Sequence, residues 1–178
     1  MSRVPAVPAT AVSLLAEVHA HPGVSRAEAA RMLGMPSGFA AETTARLVAA
    51  RLLAERPVST GRPGRPTTAL HAHPDGPLVA VAVIAHETWR TAAVELGGTV
   101  VSSAGQPHHR RQPEVLRAVA EQLSELDRQY GTRIAAWVTS VPGMVTGSQL
   151  LHAPNLGWRD VDLTALPPRR AAAEPFLA

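Results

Sequence analysis

Gly34 and Pro36 stand two residues apart in the middle of the segment 25–53, SRAEAARMLGMPSGFAAETTARLVAARLL, and no single helix can run through that pair. Glycine leaves a helix with φ > 0 at no steric cost, and proline supplies no N–H and tolerates only a helix start. The segment therefore reads as two helices and a turn. Ser25 can cap the first, because its hydroxyl accepts from an orphan backbone N–H, and Glu28 three positions on completes a capping box. A helix is expected from Arg26, with Ala29, Ala30 and Leu33 facing inward and Gly34 ending it. Met35 can plug the core at the turn. The second helix follows Pro36 and turns Ala40, Thr44, Leu47 and Val48 inward. A short helix, a glycine turn and a longer helix form the pattern of a helix-turn-helix.

Residues 52–55 can pair as a strand with residues 67–71, and between them lies RPVSTGRPGRP, rich in arginine, glycine and proline and free of acidic residues. That is the pattern of a wing. Its Gly-Arg-Pro repeat holds Arg62 and Arg65 on a stiff, extended arm suited to placing guanidinium groups in a narrow, electronegative minor groove. Upstream, residues 1–8 carry two prolines and read as a loose arm. Thr10 can cap a first helix to about Ala20, with Val12, Leu15, Ala16 and Val18 or His19 packing on the hairpin of helices. Turn formers from His73 to Pro77 mark a boundary, so residues 1–74 are expected to form a winged helix-turn-helix domain.

The charge supports this division. The chain has 17 basic residues against 14 acidic ones, and every basic residue is arginine, a planar fork suited to phosphate or guanine. Residues 1–71 hold 8 Arg and 4 Glu, net +4, whereas residues 72–178 hold 9 Arg and 10 acids, net −1. The basic excess belongs to the part expected to meet a polyanion. With no cysteine, disulfides and thiolate metal sites are excluded. The histidine pairs His19/His21, His71/His73 and His108/His109 have no carboxylate at a ligand-like interval, so they read as solvated and no metal is expected. No serine sits in a Gly-x-Ser-x-Gly elbow. Prolines and Glu17 interrupt the N-terminal apolar run, and no other run approaches the ~20 residues of a membrane span. A cytoplasmic protein without a membrane partner is the expectation.

Beyond the boundary, residues 78–178 read as α/β. LVAVAVIA, 78–85, suits a strand buried on both faces. Residues 89–96 and 99–103 form a hairpin about a two-residue Gly97-Gly98 turn. Pro113 opens a helix in which Leu116, Val119, Leu123, Leu126 and Tyr130 recur at helical spacing, and Gly131 closes it. Residues 134–141 form a fourth strand, followed by Met144-Val145, a turn at Thr146-Gly147, and residues 149–152. The set forms one half of an actin-like, ribonuclease-H-like layer.

At this point the chain resembles members of the ROK family, which groups sugar kinases with sugar-responsive transcriptional repressors. The resemblance spans almost the whole chain and rests on the N-terminal winged helix, the Gly-Arg-Pro wing before a long apolar strand, the hairpin VELGGTVV, and VPGMV followed by HAPNLGWRDVDL. It implies a double-stranded DNA operator for the first domain and, for the second, a partial actin-like ATPase lobe descended from a sugar kinase, with a sugar as possible effector. ROK kinases carry an Asp-x-Gly-Gly-Thr phosphate loop in the first hairpin. The aligned residues here are Val83, Ile84, Ala85, His86 and Glu87, so the Asp that organises the metal is valine and Glu87 brings negative charge towards phosphates. The kinase's catalytic Asn-Asp segment and its cysteine-rich zinc motif have no counterpart. The resemblance thus implies a regulator with a shortened effector domain, no cofactor and no enzymatic activity, a homo-oligomer on paired half-sites. The rival reading is a sugar kinase or sugar-binding relic; a third is an interaction module whose open sheet edge pairs with another subunit.

The groove-facing edge of the second helix is expected to carry Ser37, Gly38, Ala41, Glu42 and Ala45, with Phe39 flanking, either on a thymine methyl or in the core. Glu42 can accept from cytosine N4 but repels phosphate. Arg26 at the start of the first helix, Arg46 on the second, and Arg62 and Arg65 on the wing complete the DNA-binding candidates; Arg46 and Arg51 either meet phosphate or pair with Glu42 or Glu55. Gly143 and Asn155 match family positions near the sugar pocket and are the effector candidates. Their simpler roles are a turn after Pro142 and a side-chain cap on the APNLGW loop.

Overall fold

A computed structural model of the chain describes residues 8–58, 67–164 and 166. Its described residues fall into two compact units: one holds the residues up to Pro77 together with Glu95–Gly98, the other Leu78–Val94 and the residues from Thr99 onward.

The first unit contains α1 (Ala9–Ala20), α2 (Arg26–Met32), α3 (Ser37–Ala49), β1 (Leu53–Val58) and β2 (Thr67–Ala72). The α2 capping box is complete: Glu28 N–H donates to Ser25 Oγ at 3.2 Å, and Ser25 N–H returns to Glu28 Oε2 at 3.0 Å. Gly34 takes φ +62°, the left-handed value that releases the chain from α2. β1 and β2 pair antiparallel from Leu53↔Ala72 to Val58↔Thr67, a ladder that runs past the expected strand ends at Glu55 and His71. The segment before α2 also joins β2, with Leu70 N–H donating to Val24 O and Gly23 N–H to Leu70 O, each at 2.8 Å. Leu14, Val18, Ala29, Leu47, Leu52, Leu53 and Leu70 close one core. Burial of each large aliphatic side chain contributes about 1.5–3 kcal/mol.

Two expectations for α1 are corrected. Pro8, not Thr10, occupies the N-cap position, at φ −54° with no side-chain cap, because its fixed φ already presets the entry to the helix. The inward stripe is Leu14 and Val18, flanked by Ala11 and Leu15, while Val12 is 52% exposed and Ala16 is also exposed. Positions 11, 14, 15 and 18 follow the 3.6-residue period as one stripe, and Val12 lies about 100° away from Ala11 on the same helix.

The second unit contains β3 (Leu78–Ile84), β4 (Thr88–Glu95), β5 (Val100–Pro107), α4 (Gln112–Tyr130), β6 (Ile134–Ser140), β7 (Met144–Thr146), β8 (Gln149–Ala153) and β9 (Trp158–Asp162). One sheet has the order β5-β4-β3-β6, with β3 parallel to β6; the other is antiparallel, in the order β7-β8-β9. The chain is therefore mixed α/β, and the connection between the parallel strands runs through α4. Alternate residues of β3 (Leu78, Ala80, Ala82, Ile84) share a core with Val115, Val119, Leu123 and Leu126 of α4. Val115 replaces the expected Leu116 on the buried line, and Leu116 is only partly covered.

The β4–β5 hairpin departs from a Gly97-Gly98 turn. Gly98 N–H donates to Glu95 O at 2.8 Å, so Leu96 and Gly97 are the central residues and Gly98, at φ +84°, follows them. Val94 faces Val100 while Ala93 faces Ser102, which leaves Val101 as a bulge. β5 also runs four residues past its expected end at Ser103, to Pro107. Gly105 allows this: a Cβ there would lie 2.6 Å from Trp89 O and 2.7 Å from Arg90 Cγ.

His19 in α1 provides a pH test. Its Nε2 is enclosed without a hydrogen-bond partner among the described residues, and burial holds the imidazole below the ordinary histidine pKa. Folding thus favours the neutral ring. Its contribution is complete above the ordinary histidine pKa and is lost as pH falls from there through the lowered folded value. Urea unfolding across a pH series from neutral into the mildly acidic range should show stability falling with acidity, and His19→Gln should flatten that slope.

Candidate nucleic-acid interface

α3 carries the candidate residues, and its two faces differ sharply. Ala40, Thr43, Thr44 and Leu47 are buried, and Thr44 Oγ1 donates to Ala40 O at 2.8 Å, which satisfies its hydroxyl inside the core. Thr43 is an inward residue that the sequence reading missed; Ala40, Thr43, Thr44 and Leu47 share the i, i+3, i+4, i+7 spacing that could have found it. On the opposite side Ser37, Gly38, Glu42, Ala45 and Arg46 are exposed and Ala41 is partly covered. Residues 37, 38, 41, 42 and 45 recur at i+3 and i+4, so they share one edge. Phe39 is 44% exposed and lies outside the core, which rules out the second of its two expected positions.

The start of α3 is bare. Pro36 is its N-cap, at φ −57°, and among the described residues no side chain bonds the first N–H groups; no acidic residue lies in the first turn. Such a terminus offers unpaired backbone donors and the positive end of the helix dipole to an anion.

The arginines divide. Arg26 lies 3.7 Å from Glu55, with side chains 47% and 36% exposed, a surface pair worth little and easily opened. Among the described residues Arg46 and Arg51 form no ion pair, so neither meets the expected partners Glu42 and Glu55. Arg51 and Arg56 are exposed. Arg62 and Arg65, the wing candidates, lie outside the described residues, within the connection 59–66 between β1 and β2.

The effector candidates belong to the second unit. Gly143 is required for close packing and not for a positive φ: a Cβ there would sit 2.6 Å from His152 O and 2.7 Å from Leu150 Cδ1 of β8. Asn155 is exposed in the β8–β9 turn, where its backbone oxygen accepts from His86 Nδ1 at 2.7 Å. His108 Nε2 donates to Ala85 O at 3.1 Å and Trp158 Nε1 to Arg110 O at 2.8 Å. These bonds tie the β3–β4 turn, the β5–α4 connection and the β8–β9 turn together. They join residues up to 69 positions apart, and no local sequence signal announces them. A cleft of about 500 Å³ in the same unit is lined by Trp137, Thr139, Ser140, Val141, Val145, Gly147, Ser148 and Leu163, and neither effector candidate lines it. Among the described residues no three His, Asp or Glu side chains gather as metal ligands, and no helix is long and apolar enough to cross a membrane.

No family model matches the chain, and no curated protein does. Among solved structures, it is similar to a ROK family transcriptional regulator, a homologue of the E. coli MLC protein, with a TM-score of 0.54 and 22% sequence identity. The match covers 88% of this chain and 41% of that structure, so the chain spans less than half the length of its neighbour. The likeness is one of fold.

The contrast between the faces of α3 is measurable. Phe39→Ala should change unfolding free energy by no more than about 0.5 kcal/mol. Leu47→Ala, which opens a cavity, should cost about 2–5 kcal/mol. Urea titration of both variants checks this, and an equal loss for both would place Phe39 in the core.

Proposed function

We propose that the chain is a DNA-binding transcriptional regulator of the ROK type, a cytoplasmic repressor of sugar metabolism that lacks kinase activity and binds its operator as a homo-oligomer. Residues 1–74 are the winged helix-turn-helix, with α3 as the recognition helix and the β1–β2 connection as the wing. The observation that carries this reading is the bare, exposed edge of α3, from the uncapped helix start at Ser37 through Phe39 and Glu42 to Arg46. The net +4 charge of residues 1–71 supports it. Ser37 and Gly38 meet a phosphate or base edge, Phe39 a thymine methyl, and Glu42 the cytosine amino group. Arginines supply most of the affinity, and sequence discrimination is modest because so few side chains on that edge reach bases.

Residues 78–178 serve as effector domain in this reading, with Gly143 and Asn155 beside a sugar. Absence of phosphoryl transfer is supported by the turn that aligns with the kinase phosphate loop. His86 and Glu87 fill a tight turn there, closed by Ala85 N–H donating to Thr88 O at 2.8 Å, in place of a glycine cradle. Glu87 would oppose phosphate charge.

Fluorescence anisotropy on genomic fragments, with and without sugars, tests the reading. Arg62→Ala combined with Arg65→Ala should weaken binding and lower the slope of log K against log salt by about 0.9 for each phosphate no longer neutralised. An unchanged slope would remove the wing from the interface, and ATP-dependent sugar phosphorylation would reverse the assignment.

A further inference from the structure

β5 ends the four-stranded sheet, and its residues from Ser103 to Pro107 are all exposed. His108 N–H donates to Glu87 O at 2.8 Å, which makes 87 and 108 a hydrogen-bonded pair. Antiparallel alternation along the observed register then turns the backbone groups of Ser102, Ala104 and Gln106 towards β4. Those of Ser103, Gly105 and Pro107 point away from the sheet. Among the described residues nothing bonds the outward groups of Ser103 and Gly105.

Proteins commonly blunt such edges with charge, proline or a bulge. Here those devices stand only at the ends. Val101 bulges at one end, and at the other Pro107 removes a single outward N–H. Between them lies SSAGQ, without a charged residue, so a charged peptide finds no counter-charge on the strand. The segment is self-complementary. Antiparallel pairing centred on Ala104 sets Ser103 opposite Gly105 of the partner subunit and Gly105 opposite the partner subunit's Ser103. The four outward N–H and C=O groups of Ser103 and Gly105 on each strand are then satisfied, with only small side chains facing one another at the ordinary strand spacing.

We infer that β5 is the pairing edge for a second copy of this chain, joined antiparallel about a two-fold axis at Ala104 into one continuous eight-stranded sheet. The inference stands on the sheet edge and does not depend on the DNA reading. The axis makes the contact closed, so the product is a dimer and not a filament.

Sedimentation of the full chain over a concentration series tests this. Ser103→Pro removes only an outward donor and spares the bonds to β4. By symmetry it deletes two intersubunit bonds and should weaken the dimer about thirtyfold. Ser103→Thr keeps the N–H and should dimerise like the parent. If Ser103→Pro does not fold, Ser103→Lys serves: it places like charges beside the axis and should give a weaker dimer that strengthens with salt. A chain monomeric at all concentrations, a dimer indifferent to the proline or lysine variant, or open-ended polymers would each overturn the inference. A chain that still binds DNA as a homo-oligomer while its assembly is indifferent to the Ser103 variants would sink this inference alone; a dimer that these variants weaken but that has no DNA affinity would sink the other alone.

Discussion

The packing of Leu47 against Leu14, Val18, Leu53 and Leu70 fixes how α3 is rotated about its own axis. Once Ala40, Thr43, Thr44 and Leu47 are committed to the interior, residues 37, 38, 42 and 45 have no choice but to face solvent. The small side chains at Ala29 and Ala30 let α2 sit close beside α3, and the capping box fixes where α2 begins. The proposed recognition edge is thus a by-product of core packing. Its chemistry, an uncapped helix start with one phenylalanine and one carboxylate, is what the surface sequence adds.

The second unit is organised by a different constraint. β3 is apolar on both faces, but only the line Leu78, Ala80, Ala82 and Ile84 is fully covered, by α4. Val83 on the other face is 41% exposed. Loop-to-backbone bonds from His86, His108 and Trp158 hold one end of the sheet together, stitched by imidazole and indole donors.

Much of the local structure was legible because it depended on residues next to one another. The Ser25–Glu28 capping box, the exit at Gly34, the helix closed by Gly131 and the strand LVAVAVI each carry their own signal. What failed depended on partners elsewhere in the chain. Val12 and Leu14 are both apolar, and only the position of the core selects between them. β5 continues past Ser103 because Gly105 accepts Trp89 and Arg90 at close range, a fact of the opposing strand. The need for glycine at 143 comes from β8 packing over it, and the Asn155–His86 bond spans 69 positions. At the candidate interface, the exposed edge of α3 followed from helical period, while the placement of Phe39 turned on where the core stopped.

Everything proposed for the first unit requires the solvent edge of α3 to meet duplex DNA. Amide chemical-shift mapping of the isotope-labelled chain during titration with an operator fragment tests this most directly. Shifts should concentrate at Ser37, Gly38, Phe39, Glu42 and Arg46 and at the β1–β2 connection, with β6 and β7–β9 unchanged. Shifts confined to residues 78–164, with α3 silent, would contradict it.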